Sequence, residues 1–313
     1  MTFIKVLFMG TPEFAVPSLK SIIKAGYSVV GVYTQPDKPK GRGYKLLPTP
    51  VKEVALQNDI PVFQPATLKN PEVQAQIREL APDLIIVVAY GKILPKAVLD
   101  IPPLGCVNVH ASLLPKYRGA GPIQWSILNG EKETGVTTMY MAEGLDTGDM
   151  ILQSRTPILP DETAGELHDR LSVLGAQCLI DTCKLIEKGE APREKQRDEL
   201  SSYAPMLDKS LCPLDFYKTA REVHDRIRGL SPWPVACTTY RGRTLKLHRS
   251  HMTDISAKEA IPGTVLCCGS HLLVFCSDYA LEIDELQLEG GKRLTTTEFL
   301  CGHSFPINTV FGR

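Results

Sequence analysis

The sequence predicts an α/β domain built on a mostly parallel sheet, then a linker, then a smaller, mostly β domain. Three observations carry this. Short continuous apolar runs at residues 4–8, 29–33 and 84–88 alternate with helical stretches, as in βαβ units whose strands are buried on both faces. Residues 192–202 are charged and poor in apolar side chains, which suits a linker. Beyond them, short strand-like runs recur between turn signals, the pattern of a small β-barrel.

Residues 4–8 form the first strand. Met9-Gly10-Thr11-Pro12-Glu13 turns it into a helix over 14–25, which Gly26 stops. A second strand follows at 29–33. This opening has the outline of a dinucleotide fold, but the G-x-G-x-x-G fingerprint is missing, which argues against a nicotinamide or flavin site. Residues 35–48 are too long and too basic for a simple connection. Taken alone, such a run reads as a solvated loop. The other reading is a flexible arm whose Lys38, Lys40, Arg42 and Lys45 contact phosphates, with Gly41 and Gly43 letting it reshape. A helix over 51–58, a short strand at 62–63 and a helix from Pro71 to about 80 come next. Residues 84–88 form a buried strand that ends in Tyr90-Gly91.

Residues 106–110 form a β-branched strand that opens into a Pro/Gly loop reaching Pro122, followed by a helix over 122–129. Strands over 136–141 and 150–156 flank the loop Glu143-Gly144-Leu145-Asp146-Thr147-Gly148-Asp149. A long helix over 163–188 starts with a capping box, Thr163 with Glu166. After the linker, one helix is expected over 216–230, then strands over 236–240, 244–247, 263–267, 272–276 and 280–288.

The 313 residues allow two domains of ordinary size. Formal net charge is zero, so the overall balance neither favours nor excludes a polyanionic partner. Charge is uneven along the second domain, however. Arg221, Arg226, Arg228, Arg241, Arg243, Lys246 and Arg249 crowd its front. Asp254, Glu259, Asp278, Glu282, Asp284, Glu285 and Glu289 crowd its back. A phosphate-binding face is the expectation. The nine cysteines are an odd number without C-x-x-C pairs, and reduced core thiols in a cytoplasmic protein are expected. No signal peptide and no membrane-spanning apolar run are evident. The seven histidines show no ligand spacing, so no metal is expected.

The chemistry concentrates in three residues. Asn108 and His110 stand two apart, so on a strand they share a side at its carboxyl end, where open α/β sheets bind ligands. Asp146 lies in a loop that Gly144 and Gly148 allow to approach closely. Without a G-x-S-x-G elbow or a Cys-centred signature, such a set still suits acyl transfer to an amine that is itself the nucleophile. The Asn108 amide and the His110 imidazolium would stabilise the oxyanion, and Asp146 would take the proton.

The run Asn108-x-His110-x-Ser112-Leu113-Leu114-Pro115 with Arg118-Gly119, and Gly144-Leu145-Asp146-Thr147-Gly148-Asp149, resembles the 10-formyltetrahydrofolate-dependent formyltransferases. Gly10-Thr11-Pro12-Glu13-Phe14-Ala15, Lys40-Gly41-Arg42-Gly43, Gly229-Leu230-Ser231-Pro232-Trp233-Pro234 with Ala236, and Gly291-Lys292 are similar to the branch acting on methionyl-tRNA. The resemblance covers nearly the whole chain. It implies a Rossmann-like catalytic domain over 1–189, a linker over 190–207 and an OB-like tRNA-binding domain over 208–313. It also implies formyl transfer from 10-formyltetrahydrofolate to the methionine of initiator methionyl-tRNA; a monomer is expected, with the oligomeric state open. Asn108, His110 and Asp146 would be catalytic. Ser112, Leu113, Leu114 and Pro115 would contact the folate. Lys38, Lys40, Arg42 and Lys45 would grip the tRNA. The same chemistry on a small amine, such as glycinamide ribonucleotide or an amino sugar, is the near rival. A tRNA-binding module on a decayed enzyme fold is the distant one.

Overall fold

A computed structural model describes residues 4–40 and 45–312. The chain divides into two compact units. The first contains the chain up to Gly119, Thr134–Thr156 and His168–Tyr203. The second contains Ala120–Glu133, Pro157–Leu167 and the chain from Ala204 on.

Strands β1 (Lys5–Gly10) and β2 (Ser28–Tyr33) flank helix α1 (Val16–Lys24), which a short 3-10 turn over Glu13–Ala15 precedes. A hairpin of β3 (Lys38–Lys40) and β4 (Lys45–Leu47) follows, with Lys40 opposite Lys45 in register. The basic stretch read as a flexible arm is therefore paired at its base. Its Gly41, Arg42 and Gly43 lie outside the described residues. Next come α2 (Pro50–Gln57), β5 (Val62–Phe63), α3 (Pro71–Glu79), β6 (Leu84–Val88), α4 (Lys96–Leu99) and β7 (Cys106–His110). The pair β8 (Arg118–Gly119), helix α5 (Pro122–Leu128), β9 (Glu133–Tyr140), β10 (Met150–Pro157) and α6 (Ala164–Lys188) complete the first half.

The large sheet has seven strands in the order β10-β9-β7-β6-β1-β2-β5. The β2–β5, β1–β2, β1–β6 and β6–β7 pairs are parallel, and β9 runs antiparallel to β7. From β1 the chain goes first to one side (β2, β5) and then to the other (β6, β7). That reversal opens a crevice at the carboxyl ends. The apolar runs of β1 and β6 are buried throughout because both faces are covered. The capping box at α6 is present, with Thr163 N–H donating to Glu166 Oε2 and Glu166 N–H to Thr163 Oγ1. Gly175 lets α6 lie close over the strand that bears the site: a Cβ there would stand 3.0 Å from Val109 Cγ1.

In the second unit, β11 (Tyr203–Ala204) is followed by α7 (Ala220–Gly229), β12 (Cys237–Tyr240), β13 (Arg243–Ser256), β14 (Val265–Cys268), β15 (His271–Phe275), β16 (Tyr279–Leu288), β17 (Leu294–Thr295) and α8 (Thr296–Gly302). β12 to β16 form an antiparallel sheet in the order β12-β13-β16-β15-β14, with β17 added to β16. Among the described residues no ladder joins β14 back to β12. The core of this unit includes Phe216, Ile227, Leu247, Leu272, Leu281 and Phe299.

Several sequence expectations need correction. Helix α7 starts at Ala220, not at residue 216, because Thr219 and Glu222 form a capping box there. A second helix, α8, has the same device in Thr295 and Glu298. β13 runs for 14 residues rather than the four expected at 244–247, since register shifts at Leu247/Arg249, Arg249/Ser250 and Met252/Ser256 break its alternation. The basic front and the acidic back of this unit also meet within the sheet. β13 and β16 are neighbours, so Arg249 pairs in register with Glu285. Arg228 is buried rather than displayed. No helix of the described residues is long and apolar enough to cross a membrane.

Candidate active site

β7 delivers the site. Val107 and Val109 are buried on one side of the strand, and alternation sends Asn108 and His110 to the other. Asn108 is half-buried, and its carboxamide has no hydrogen-bond partner among the described residues. Such a group at a strand's carboxyl end is available to a ligand.

His110 is buried, with its Nε2 2.9 Å from the carbonyl oxygen of Tyr117. A carbonyl only accepts, so the proton sits on Nε2, and Nδ1 is the edge that can react. That edge faces Asp146 Oδ2 at 3.7 Å, too long for a hydrogen bond but close enough for the carboxylate to act on the ring electrostatically. Asp146 Oδ2 is fixed by the Gly119 N–H at 2.8 Å. Backbone strain accompanies both contacts, because Tyr117 (φ 61°) and Asp146 (φ 52°) sit in the left-handed region. The loop carrying Asp146 lies close against its own strand. A Cβ on Gly148 would stand 1.7 Å from the Tyr140 carbonyl oxygen, so no other residue fits there.

The structure thus brings Asn108, His110 and Asp146 to one end of the sheet. The Ser112–Pro115 segment forms the next turn of chain. Ser112 is buried, its hydroxyl donates to the Lys116 carbonyl at 2.7 Å, and its own carbonyl accepts from Thr137 Oγ1. Leu114 is buried with Met139 and Met150, and Gln153 Nε2 donates to its carbonyl. Ser112 and Leu114 therefore shape the loop, while Leu113 and Pro115 keep part of their surface open. Lys38 is exposed on β3, Lys40 and Lys45 stand opposite each other at the hairpin, and Arg42 lies outside the described residues.

Sequence reading missed the clamp behind Asp146. Gln196 Nε2 donates to the carbonyls of Asp146 and Gly148, each at 2.8 Å. Its Oε1 accepts from Arg118 Nε at 3.0 Å, and Arg118 Nη2 reaches Asp198 at 2.8 Å. Ser202 meets the Tyr117 N–H through its hydroxyl and the Arg118 N–H through its carbonyl. The stretch expected as a free linker is therefore strapped to the site loops as far as Tyr203, and its polarity is the means of attachment. Gln196→Ala should lower kcat on the order of 10²-fold by displacing Asp146. Affinity for the acceptor should hold, which steady-state kinetics would check.

Comparison with known proteins also divides the chain in two. The formyl transferase family model matches residues 4–183, and the formyl transferase C-terminal domain model matches 206–304. Methionyl-tRNA formyltransferase of Acetivibrio thermocellus is 51% identical over 310 residues, which is 99% of this chain and 100% of that protein. The chain belongs to the methionyl-tRNA formyltransferase family. The Geobacter sulfurreducens member is 51% identical over 313 residues, covering 100% of this chain and 98% of that protein. Among solved structures, an N-formyltransferase from Helicobacter canadensis, in complex with folinic acid and dTDP-3-aminofucose, superposes with a TM-score of 0.70 at 23% identity. That match covers 93% of this chain and 100% of that one. HypX from Aquifex aeolicus, in complex with tetrahydrofolic acid, gives 0.64 at 16% identity over 96% of this chain and 47% of that one. At these identities the likeness establishes the shared fold.

Proposed function

We propose that this methionyl-tRNA formyltransferase family member works through Asn108, His110 and Asp146. The enzyme transfers the formyl group of 10-formyltetrahydrofolate to the amino group of methionine on initiator methionyl-tRNA, for translation initiation. The observation that carries the residue assignment is the convergence of an unpartnered carboxamide, a tautomer-fixed imidazole and a positioned carboxylate at the carboxyl end of β7.

An α-amine with a pKa near 8 is already about a tenth neutral at pH 7, so it needs little activation. Attack on the formyl carbon moves negative charge to the formyl oxygen. The Asn108 N–H and a protonated His110 Nδ1 are donors to that oxygen. The proton lost by the amine goes to Asp146. As the oxyanion collapses, the bond between the formyl carbon and N10 of the donor breaks, and the His110 Nδ1 proton passes to N10 so that tetrahydrofolate leaves. Asp146 then returns its proton to His110. Leu113 and Pro115 would line the folate, with Ser112 and Leu114 holding the loop in shape. No step of this mechanism needs a metal.

The assignment extends to a Rossmann-like catalytic domain over 1–189, a linker over 190–207 and an OB-like tRNA-binding domain over 208–313. The enzyme is a cytoplasmic monomer in this reading. Lys38, Lys40, Arg42 and Lys45 grip the acceptor arm. Arg42→Gln should raise KM for methionyl-tRNA and flatten the slope of log affinity against log salt by about one. Unchanged turnover at physiological salt would remove the arm from the tRNA interface. Transfer of labelled formyl to methionyl-tRNA, compared with glycinamide ribonucleotide and an amino sugar, tests the acceptor. Preference for a small amine would overturn the reading.

A further inference from the structure

We infer that Asp37, Lys52 and Gln64 form a positioning latch that sets the direction of the basic hairpin for tRNA binding, an inference that rests on reading that hairpin as the tRNA grip. Lys52, although basic and only a few residues beyond the hairpin, orients the arm and does not itself bind phosphate.

The hairpin needs holding. Among the described residues β3 and β4 pair only with each other, and a lone two-stranded hairpin is marginal in water. Leu46 is 62% exposed and Leu47 40%, so little apolar surface anchors it. Its direction is therefore decided at its base, where the two legs meet twice. Thr34, buried before the hairpin, shares a hydrogen bond of 2.7 Å with Thr49, after it. Asp37, the residue before β3, reaches into α2, where Lys52 Nζ donates to its Oδ2 at 2.6 Å. Gln64, just past β5, closes the triangle. Its Nε2 donates to Asp37 Oδ1 at 2.7 Å and to the Gln35 carbonyl at 2.8 Å. Its Oε1 accepts from Lys52 Nζ at 2.8 Å.

Both Asp37 oxygens and both ends of the Gln64 amide are thus engaged, and the Lys52 charge is committed to Asp37. The hydrogen bond from Lys52, then that from Gln64, holds the Asp37 carboxyl below its ordinary range, so the pair stays ionised at neutral pH. The base is also tied onward to the large sheet. Gln35 Nε2 donates to the carbonyls of Tyr90 and Gly91, each at 3.1 Å. Those residues follow β6, the neighbour of β7. The arm therefore takes its bearing from the strand ends that carry Asn108 and His110.

Asp37→Asn decides between orientation and charge. It keeps the shape, removes a negative charge and frees Lys52, so an arm acting by charge alone should bind tRNA more tightly. The latch gives the opposite result. KM for methionyl-tRNA should rise about tenfold, with kcat at saturating tRNA and KM for 10-formyltetrahydrofolate unchanged. Gln64→Met, which alters no charge, should do the same. In an Arg42→Gln background Asp37→Asn should add less than about twofold, because the arm it aims is already weakened. Steady-state formylation with each variant reads all of these. If Arg42→Gln raises KM while Asp37→Asn leaves or lowers it, the latch fails and the arm stands; Lys52 would then be a phosphate contact that Asp37 restrains. The latch fails too if Asp37→Asn keeps its full effect without Arg42, or if kcat and the KM for the formyl donor change in step. If Arg42→Gln alone leaves KM unchanged, the reading of the arm as the tRNA grip falls, and the latch with it.

Discussion

His110→Ala should lower kcat for formylation of methionyl-tRNA by about 10²–10⁴-fold, the range for removing a positioned acid–base group. Affinity for the tRNA should be unchanged. The reasoning rests on the two edges of the ring. Nε2 is committed to the Tyr117 carbonyl, and Nδ1 faces Asp146 across 3.7 Å. Losing the ring removes both the proposed donor to the reacting oxygen and the group that faces Asp146. Asn108→Ala should cost about 10²–10³-fold, as for one oxyanion donor. Since the residues act as one unit, the double variant should fall far short of the product of the two effects. Single-turnover formylation alongside a tRNA-binding assay would check all three variants. Multiplicative losses would mean independent roles. A loss of tRNA binding in step with activity would make His110 a structural residue, held only for the Tyr117 contact.

What could be read in the sequence depended on the range of the interaction. β1 and β6 are continuous apolar runs, and double-sided burial is written directly in such runs. Asn108 and His110 were legible because strand alternation fixes the relation of residues two apart. Asp146 was legible because Gly148 has to give way to the Tyr140 carbonyl. Gln196 was not, since its partners lie about 50 residues away and a charged, apolar-poor segment reads as a linker whether or not it is anchored. Tyr117 in the left-handed region carries no sequence mark, because tyrosine gains nothing there; the surrounding contacts impose it. The start of α8 was marked, by Thr295 with Glu298, yet a short helix after many strands is easily read through. β13 was cut short in the reading because its register shifts move apolar residues off the expected alternation.

Arg228→Met should destabilise the second unit by about 3–5 kcal/mol, the cost of breaking a buried ion pair by removing one partner. In the sequence Arg228 is one arginine among several in a basic run, and a phosphate contact was the natural expectation. In the structure it is 1% exposed. Its Nε donates to Asp225 Oδ1 at 2.7 Å, and its Nη1 donates to the carbonyls of Leu159 and Glu162 at 3.2 and 3.1 Å. Methionine fills most of the volume but leaves two carbonyls without this donor and Asp225, 3% exposed, without its closest cation. Chemical denaturation should therefore show the full loss, with tRNA affinity reduced only as far as the fold is. Arg241→Gln, at an exposed position, should move stability by less than about 0.5 kcal/mol while weakening any phosphate contact it makes. Asp225→Leu combined with Arg228→Met should recover part of the loss, because an apolar pair removes the stranded carboxylate. If the double variant were as unstable as the single one, the carbonyls of Leu159 and Glu162, rather than the ion pair, would be what Arg228 is there to satisfy. If Arg228→Met weakened tRNA binding without loss of stability, the guanidinium would be facing the nucleic acid after all.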